Sequence, residues 1–388
     1  MFHDALVPFA ERRIIRMKKA LIVATVGGFI CSFEKNDIKL LKNLGYEVFI
    51  ACNTEGREEE LEQLECKIVH LPIARSPFKK QNLASYKKLK SLIKQERFDL
   101  VHCHTPVGGV LARMAAKKYR KTGIKVIYTA HGFHFFKGAP LVNWLIYYPV
   151  ERWLSRYTDI LITINHEDYK RAKAFHAKKV EYVPGVGVDL EKFSQNDISQ
   201  DKREQLQREF EINQKDVVLL SVGELSPRKN QRVVIEAIFR LQKKNIKYLL
   251  VGEGPLKEEY QKLSEKFQLE NQVFFTGFRR DIKELCAISD VFVFPSLQEG
   301  LPVALMEAMS SELPIVCSAI RGNIDLIEDG KGGFLVNPRD CQEVLEKIKE
   351  IIEHPTLAEQ MARCNRERIK EFSEEKVREK MRKIYANI

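Results

Sequence analysis

Val291-Phe-Val-Phe-Pro295 is followed closely by Glu299-Gly-Leu-Pro-Val-Ala-Leu-Met-Glu307. The first run is short, apolar and rich in β-branched and aromatic residues, which suits a buried parallel strand. The second starts with loop chemistry and ends with helix formers. Pro302 sits where a first helical residue would, since its missing N–H costs nothing there. Gly300 would let the backbone approach a ligand closely. The turn through Gly300, Leu301, Pro302 and Val303 then presents unpaired N–H groups at the positive end of a helix dipole, a site for phosphate. Glu299 lies ahead of the turn, near whatever hangs from the phosphate. Glu307 lies one turn into the helix, where a carboxylate can accept hydrogen bonds from a vicinal diol such as a ribose. The combination points to a nucleotide diphosphate with a sugar at one end and a ribose at the other. The competing reading is a solvated helix with two surface acids.

The surrounding sequence alternates in a βαβα rhythm, which predicts an α/β fold with parallel, doubly wound sheets. Apolar runs predict strands at 20–25, 48–51, 68–71, 100–102, 126–129, 160–164 and 180–183. A second series follows at 217–222, 248–251, 273–276, 291–294, 315–317 and 334–336. Between the two series lies a polar stretch, 194–201, which reads as a linker. The expected layout is an N-terminal extension (1–16), a first Rossmann-like domain (17–193), the linker, a second Rossmann-like domain (202–370), and a C-terminal helix (371–388) packing back on the first domain. Ligands of such sheets bind beyond the carboxyl ends of the strands.

The chain of 388 residues has room for two ordinary domains, and 44% hydrophobic with 30% charged residues fits a globular protein. A formal charge of +11 implies an anionic partner: nucleotide, phospholipid or nucleic acid. Eight cysteines include no C-x-x-C pair, so they read as free, mostly buried thiols of a reducing cytosol. Lys18-Lys19 and the apolar residues after it imitate a signal peptide, but Gly27-Gly28 interrupts the run and amphipathic helix follows. No run approaches the roughly 20 apolar residues of a membrane span. Asp-x-Asp is absent from the sequence, which argues against a metal-diphosphate clamp, and no metal or other cofactor is expected.

Ser221-Val-Gly-Glu-Leu-Ser-Pro-Arg-Lys-Asn230 carries a second candidate cluster. Gly223 ends a strand and permits close approach, and a helix is expected from about Asn230. Arg228 and Lys229 would stabilise charge on a departing diphosphate. In the first half, Gly27-Gly28 forms a glycine-rich turn after the first strand. His102-Cys-His104 and Thr129-Ala-His131-Gly132 both end strands. The histidines invite a zinc reading, yet no carboxylate or thiolate completes a ligand spacing. His131 is the better candidate for work in a cleft, in a hydrogen-bonding role that needs no proton transfer. Residues 133–148 are aromatic and apolar. They predict part core helix and, around 137–140, rings exposed beside the cleft. Residues 79–97 read as a basic helix with Lys87, Lys88, Lys90 and Lys94, and a second basic cluster spans 117–125. Basic clusters beside an apolar patch suggest an anionic membrane surface.

From residue 18 onward these segments together resemble family 4 glycosyltransferases. Glu299 and Glu307 match the family's E-x7-E motif. Lys229 matches the lysine of its G-R-L-x-x-x-K-G segment, but Glu224 stands in the arginine position and Asn230 in the glycine position. Arg228 is the candidate substitute for that arginine. Val251-Gly-Glu-Gly-Pro255 resembles the family's G-x-G-P element, which implies Gly252 and Gly254 near the nucleotide. Phe275-Thr-Gly-Phe278 resembles the segment lining the base pocket, implying base contacts from the backbone of Phe278 and Arg279. Arg321-Gly-Asn-Ile-Asp325 takes the place of G-G-x-P-E with its acid shortened, and no role is assigned to it. The likeness is greatest to bacterial enzymes of exopolysaccharide, capsule and O-antigen repeat-unit synthesis.

The resemblance implies a retaining transferase of the GT-B fold, with two Rossmann-like domains facing a cleft and C-terminal helices crossing back. The implied donor is a UDP-sugar and the implied acceptor a lipid-diphosphate-linked saccharide. Gly27 and Gly28 would lie against the phosphates, and His131 against the transferred sugar. The enzyme would be cytoplasmic, peripheral to the inner face of the membrane. A UDP-sugar epimerase of the same architecture is the alternative. A nucleic-acid-binding protein is a distant one, since no helix-turn-helix or RNA-stacking motif is present.

Overall fold

The seven strands expected in the first half and the six expected in the second all form, with ends shifted by one or two residues. The computed structural model describes residues 16–193 and 198–388. The expected extension therefore lies outside the described residues except for Arg16, as do 194–197 of the expected linker; Gln200 and Asp201 already belong to the helix Gln200–Glu209.

The strands are β1 (Lys18–Val26), β2 (Tyr46–Asn53), β3 (Lys67–His70), β4 (Leu100–His104), β5 (Lys125–Ala130), β6 (Ile160–Thr163), β7 (Lys179–Tyr182), β8 (Val217–Val222), β9 (Ile246–Val251), β10 (Val273–Gly277), β11 (Val291–Phe294), β12 (Ile315–Ser318) and β13 (Gly333–Val336). Their order is β3-β2-β1-β4-β5-β6-β7 in one sheet and β10-β9-β8-β11-β12-β13 in the other. Each sheet is doubly wound. In the second, the order reverses between β8 and β11, and such a switch opens a ligand crevice at the carboxyl ends of those strands.

Contacts divide the chain into two compact units, Met1–Cys103 with Val107–Val126, and His104–Pro106 with Ile127–Ile388. In the first unit, β1 is buried from Ala20 to Ala24, between its parallel partners β2 and β4. The basic segment forms the helix Gln81–Glu96, which buries Asn82, Ser85, Leu89 and Ile93 at helical spacing and turns Lys87, Lys88 and Lys94 outward. Lys88 donates to the His70 carbonyl at 2.8 Å. Gly27 and Gly28 do not form a loop: they open the helix Gly27–Phe33, and a side chain on Gly27 would press on Leu61 and Arg57.

In the second unit, the β8–β13 sheet is covered on both faces, and alternate residues sort between two cores. Val218, Leu220, Leu249, Phe292 and Phe294 join the core that includes Leu305, Met309 and Ile369. Leu219, Tyr248, Leu250, Val291 and Val293 join the core with Val234, Ile238 and Ile348. The tail forms the helices Cys341–Glu353, Pro355–Ile369 and Glu374–Ala386, with Pro355 opening the second. The last helix is anchored next to Val188, whose N–H donates to Phe372 and whose carbonyl accepts from Glu374. Its Lys380 lies over the Tyr182 ring of β7. Five cysteines are buried and Cys66, Cys341 and Cys364 half-buried, all unbridged.

Candidate active site

The ends of β8 and β9 converge through backbone contacts that glycine alone permits. Gly252 approaches Gly223 so closely that any Cβ would run into the Gly223 carbonyl. Gly254 sits against the Leu225 backbone in the same way, and Leu225 and Glu253 are joined by an N–H···O bond of 3.0 Å. These glycines therefore serve chain-on-chain packing. Gly223 also leaves room for Lys229, whose Cε would lie 3.2 Å from a Cβ there.

Lys229 is placed by the loop that follows. Asn230 adopts φ +56°, the left-handed region that asparagine tolerates better than most residues. Its amide donates to the carbonyls of Pro295 (3.1 Å) and Pro338 (2.7 Å). Asparagine thus meets the conformational demand of the glycine it replaces and adds two tethers. The helix starts only at Arg232, two residues later than expected. Lys229 Nζ lies 2.9 Å from a Glu299 carboxylate oxygen and over the Phe294 ring at 4.5 Å. Arg228 reaches the same oxygen at 3.1 Å and also donates to the Gln298 carbonyl. Two cations therefore hold one nearly buried carboxylate. Burial pushes the Lys229 pKa down, and Glu299 pulls it back up. Glu224 is exposed, and its backbone carbonyl accepts from Gln231.

Gly300 has a packing task besides the expected ligand approach. A Cβ there would collide with the His131 carbonyl, and Gly132, at φ +132°, faces it: a Cβ on Gly132 would lie 3.2 Å from the Gly300 Cα. The two loops touch backbone to backbone. Pro302 also differs from expectation by one place. It is the capping residue, with extended φ −79° and ψ 120°, and its carbonyl accepts from Met306 as the helix Val303–Ser310 begins. Leu301 is buried in the core, so only its backbone can face a ligand.

Arg321, given no role by the sequence reading, fastens this arrangement. It is buried and donates to the carbonyls of Glu299 (3.1 Å) and Phe133 (2.9 Å) and to the Asp168 carboxylate (2.8 Å). Asp168 accepts in addition from Phe133 N–H (3.0 Å) and the Asn165 amide (2.9 Å). Burial raises the Asp168 pKa, while Arg321 and the two donors pull it down. One guanidinium thus ties the Glu299 loop to the His131-Gly132-Phe133 loop. Asp325 is structural too, accepting from the His166 backbone N–H at 2.9 Å. A pocket of about 270 Å³ opens beside Glu299 and Arg321, with Phe136, Gln298 and Arg339 among its walls.

His131 follows β5, and its Nε2 lies 3.2 Å from His104 Nδ1, so one ring donates to the other. Burial lowers the His131 pKa to about 4, which keeps the ring neutral near pH 7. His102 is a fully buried strand residue. Glu307 is only partly covered by neighbours, yet burial lifts its pKa to about 7 against the pull of Lys192. After β10, Phe278 stands 74% exposed. The Arg279 side chain is held by Glu209 (2.6 Å) and Asp281 (2.7 Å), which leaves its backbone for any base contact.

Comparison with known proteins identifies the family. The family model "Glycosyltransferase Family 4" matches residues 38–192, and "Glycosyl transferases group 1" matches 202–368. EpsD of Bacillus subtilis (strain 168), named as a glycosyltransferase, is 40% identical over 95% of this chain and 96% of its own. The chain belongs to the family 4 glycosyltransferases. A 27% identical relative from Escherichia coli, matched over 91% of this chain and 92% of its own, is named UDP-Gal:alpha-D-GlcNAc-diphosphoundecaprenol alpha-1,3-galactosyltransferase. Among solved structures, Anabaena HepE in complex with UDP superposes with a TM-score of 0.79 over 96% of this chain and 100% of that one, at 20% identity. That likeness shows the GT-B fold. The protein is thus a glycosyltransferase of the polysaccharide-building kind, and relatives act on lipid-linked acceptors.

Proposed function

We propose that this glycosyltransferase moves a sugar, with retention, from UDP to a hydroxyl of a lipid-diphosphate-linked saccharide at the cytoplasmic face of the membrane. The carrying observation is the Lys229–Glu299–Arg228 cluster at the β8/β11 switch. Without donor, Glu299 pairs with both cations and offsets one of their two charges. With donor, a diphosphate takes that place, and the cations stabilise the charge that grows as the C1–O bond breaks. A double displacement would need a carboxylate nucleophile on the far face of the sugar. Glu299 lies with Lys229 and Arg228 on the phosphate side rather than the far face, so in this reading the acceptor hydroxyl attacks from the leaving-group side and its proton passes to the departing phosphate. Neutral His131 hydrogen-bonds the transferred sugar, and Glu307 holds the ribose diol. Names of relatives support both the UDP donor and the lipid-borne acceptor. No helix among the described residues is long and apolar enough to cross a membrane.

The test is incubation of UDP-sugars with and without lipid-linked saccharides. A new glycolipid supports the reading; an isomerised UDP-sugar formed without acceptor would sink it. The right nucleotide also stabilises the fold, by about 2.7 kcal/mol at a hundredfold excess over Kd.

Two further results are expected. Transfer survives excess EDTA, because side-chain cations serve the leaving group; activity lost on chelation and restored by Mg²⁺ would refute this. UDP binding also depends on pH through Glu307. Its folded-state pKa of about 7 lies above the usual 4.5, so the free protein loses stability as pH rises between those values. A diol donates to the carboxylate form, so UDP binds more tightly as pH rises from 6 to 8, by up to roughly tenfold. Calorimetry should show this slope in the wild type and a flatter one in Glu307→Gln. The same slope in both would remove Glu307 from the site.

A further inference from the structure

The helix Leu141–Leu154 is apolar around most of its circumference, with Asn143, Glu151 and Arg152 the polar exceptions. Its inner side packs rings: Trp144 and Tyr148 meet Phe135 at 5.7 and 5.3 Å, and Tyr147 meets His134 at 4.7 Å. Rings were expected to be exposed around 137–140, but Phe135 is buried and Phe136 half-buried, and the helix turns Trp144, Tyr147 and Tyr148 inward. The outward groups are aliphatic. Leu141 is 81% and Leu145 76% exposed, and Val142, Ile146 and Val150 are exposed with them. At 3.6 residues per turn these five positions form one continuous stripe, extended by Pro149 and Trp153.

Such a helix normally belongs in a core or a membrane. At 14 residues it is about 21 Å long, short of the roughly 30 Å needed to span a bilayer. Charge selects the occupant. Exposed Lys137 precedes the helix and exposed Arg152 lies near its end, while its one acid, Glu151, is buried and accepts from Tyr128. An apolar face with a cation at each end and with the helix's own acid buried complements an anionic lipid surface, with tryptophan at the level of the headgroups.

We propose that this helix lies in the plane of the membrane interface and seats its outward stripe among the acyl chains, docking the enzyme on anionic lipid. The proposal rests on the reading that the acceptor is lipid-borne and names the surface that brings the enzyme to it.

The experiment uses the full chain and vesicles of phosphatidylglycerol with phosphatidylcholine at low ionic strength. The wild type should co-sediment, less well at high salt or with phosphatidylcholine alone. Leu141→Gln combined with Leu145→Gln should lower partitioning at least tenfold, since two apolar side chains lose their burial. The chain has two tryptophans, so Trp144→Phe leaves Trp153 as sole reporter, and its emission should shift to the blue on binding. The proposal fails if the wild type stays free of vesicles, if the double variant binds as well as wild type, or if Trp153 emission does not move on binding. It also fails if the wild type is a dimer that the double variant converts to monomer, since a second copy would then own this face. Transfer to a water-soluble acceptor should be unchanged in the double variant; its absence from the wild type with every acceptor would overturn the functional reading instead.

Discussion

Replacing Arg321 by methionine lowers the stability of the fold by about 3–5 kcal/mol. The substitution leaves the Asp168 carboxylate buried with no cation, and it strips donors from the Glu299 and Phe133 carbonyls. Orphaned buried acceptors cost about 1–3 kcal/mol each, though water entering the space recovers part. A urea titration reads the loss as a lower midpoint with little change in slope. Adding Asp168→Asn to Arg321→Met should return part of the stability, since the uncompensated charge is gone while an oxygen remains for the Phe133 N–H. A cost below about 1 kcal/mol for Arg321→Met would mean the guanidinium does not hold these loops. The loosened variant should also turn over more slowly, because Glu299 and His131 are carried by the two loops that Arg321 joins.

Lys229→Ala lowers kcat by roughly a hundred- to a thousandfold, the usual cost of removing one preorganised donor from developing charge. Its stem crosses Gly223, and its ammonium is fixed by Glu299 over the Phe294 ring, so it needs little reorganisation to meet a diphosphate. Its loss also leaves Glu299 with Arg228 as its cation partner among the described residues, a carboxylate facing the arriving phosphates. The double change Lys229→Ala with Glu299→Gln should therefore lose less than the two single effects added together. The discriminating readout is the split between kcat and KM for the donor. A rise in KM with kcat intact would make Lys229 a binding residue only. Arg228→Ala should share the pattern more weakly, as the more exposed partner. No effect there would leave the carboxylate of Glu224, in the family's arginine position, without a compensating cation.

Thirteen strands, their parallel arrangement and the late Glu299–Glu307 turn were legible from local pattern. Periodicity is written within a few neighbouring residues, and period two in β8 and β11 sorts their side chains between two cores as the pleat requires. Candidate site residues were legible too, because strand ends with glycine, lysine and glutamate stand out from apolar runs. The purpose of those residues was less so. Gly300 read as an opening for a ligand and Gly252 as part of a turn near the nucleotide; the fold adds that a side chain on either would collide with another chain segment. Asn230 read as a departure, yet its left-handed backbone explains it.

The sequence by itself determined the secondary structure, the order of the motifs and the kind of chemistry, since these follow from residue type and short spacing. Tertiary structure alone decided which charges meet and which faces stay bare. Arg321 finds Asp168 across 153 residues, and Arg228 finds Glu299 across 71, pairings that no local spacing encodes. The Leu141–Leu154 helix makes the same point: its composition says only that it is apolar, and the packing of its rings inward is what leaves the aliphatic stripe facing out. Burial then sets the protonation of His131 and Glu307, because desolvation depends on what the rest of the chain places around a group.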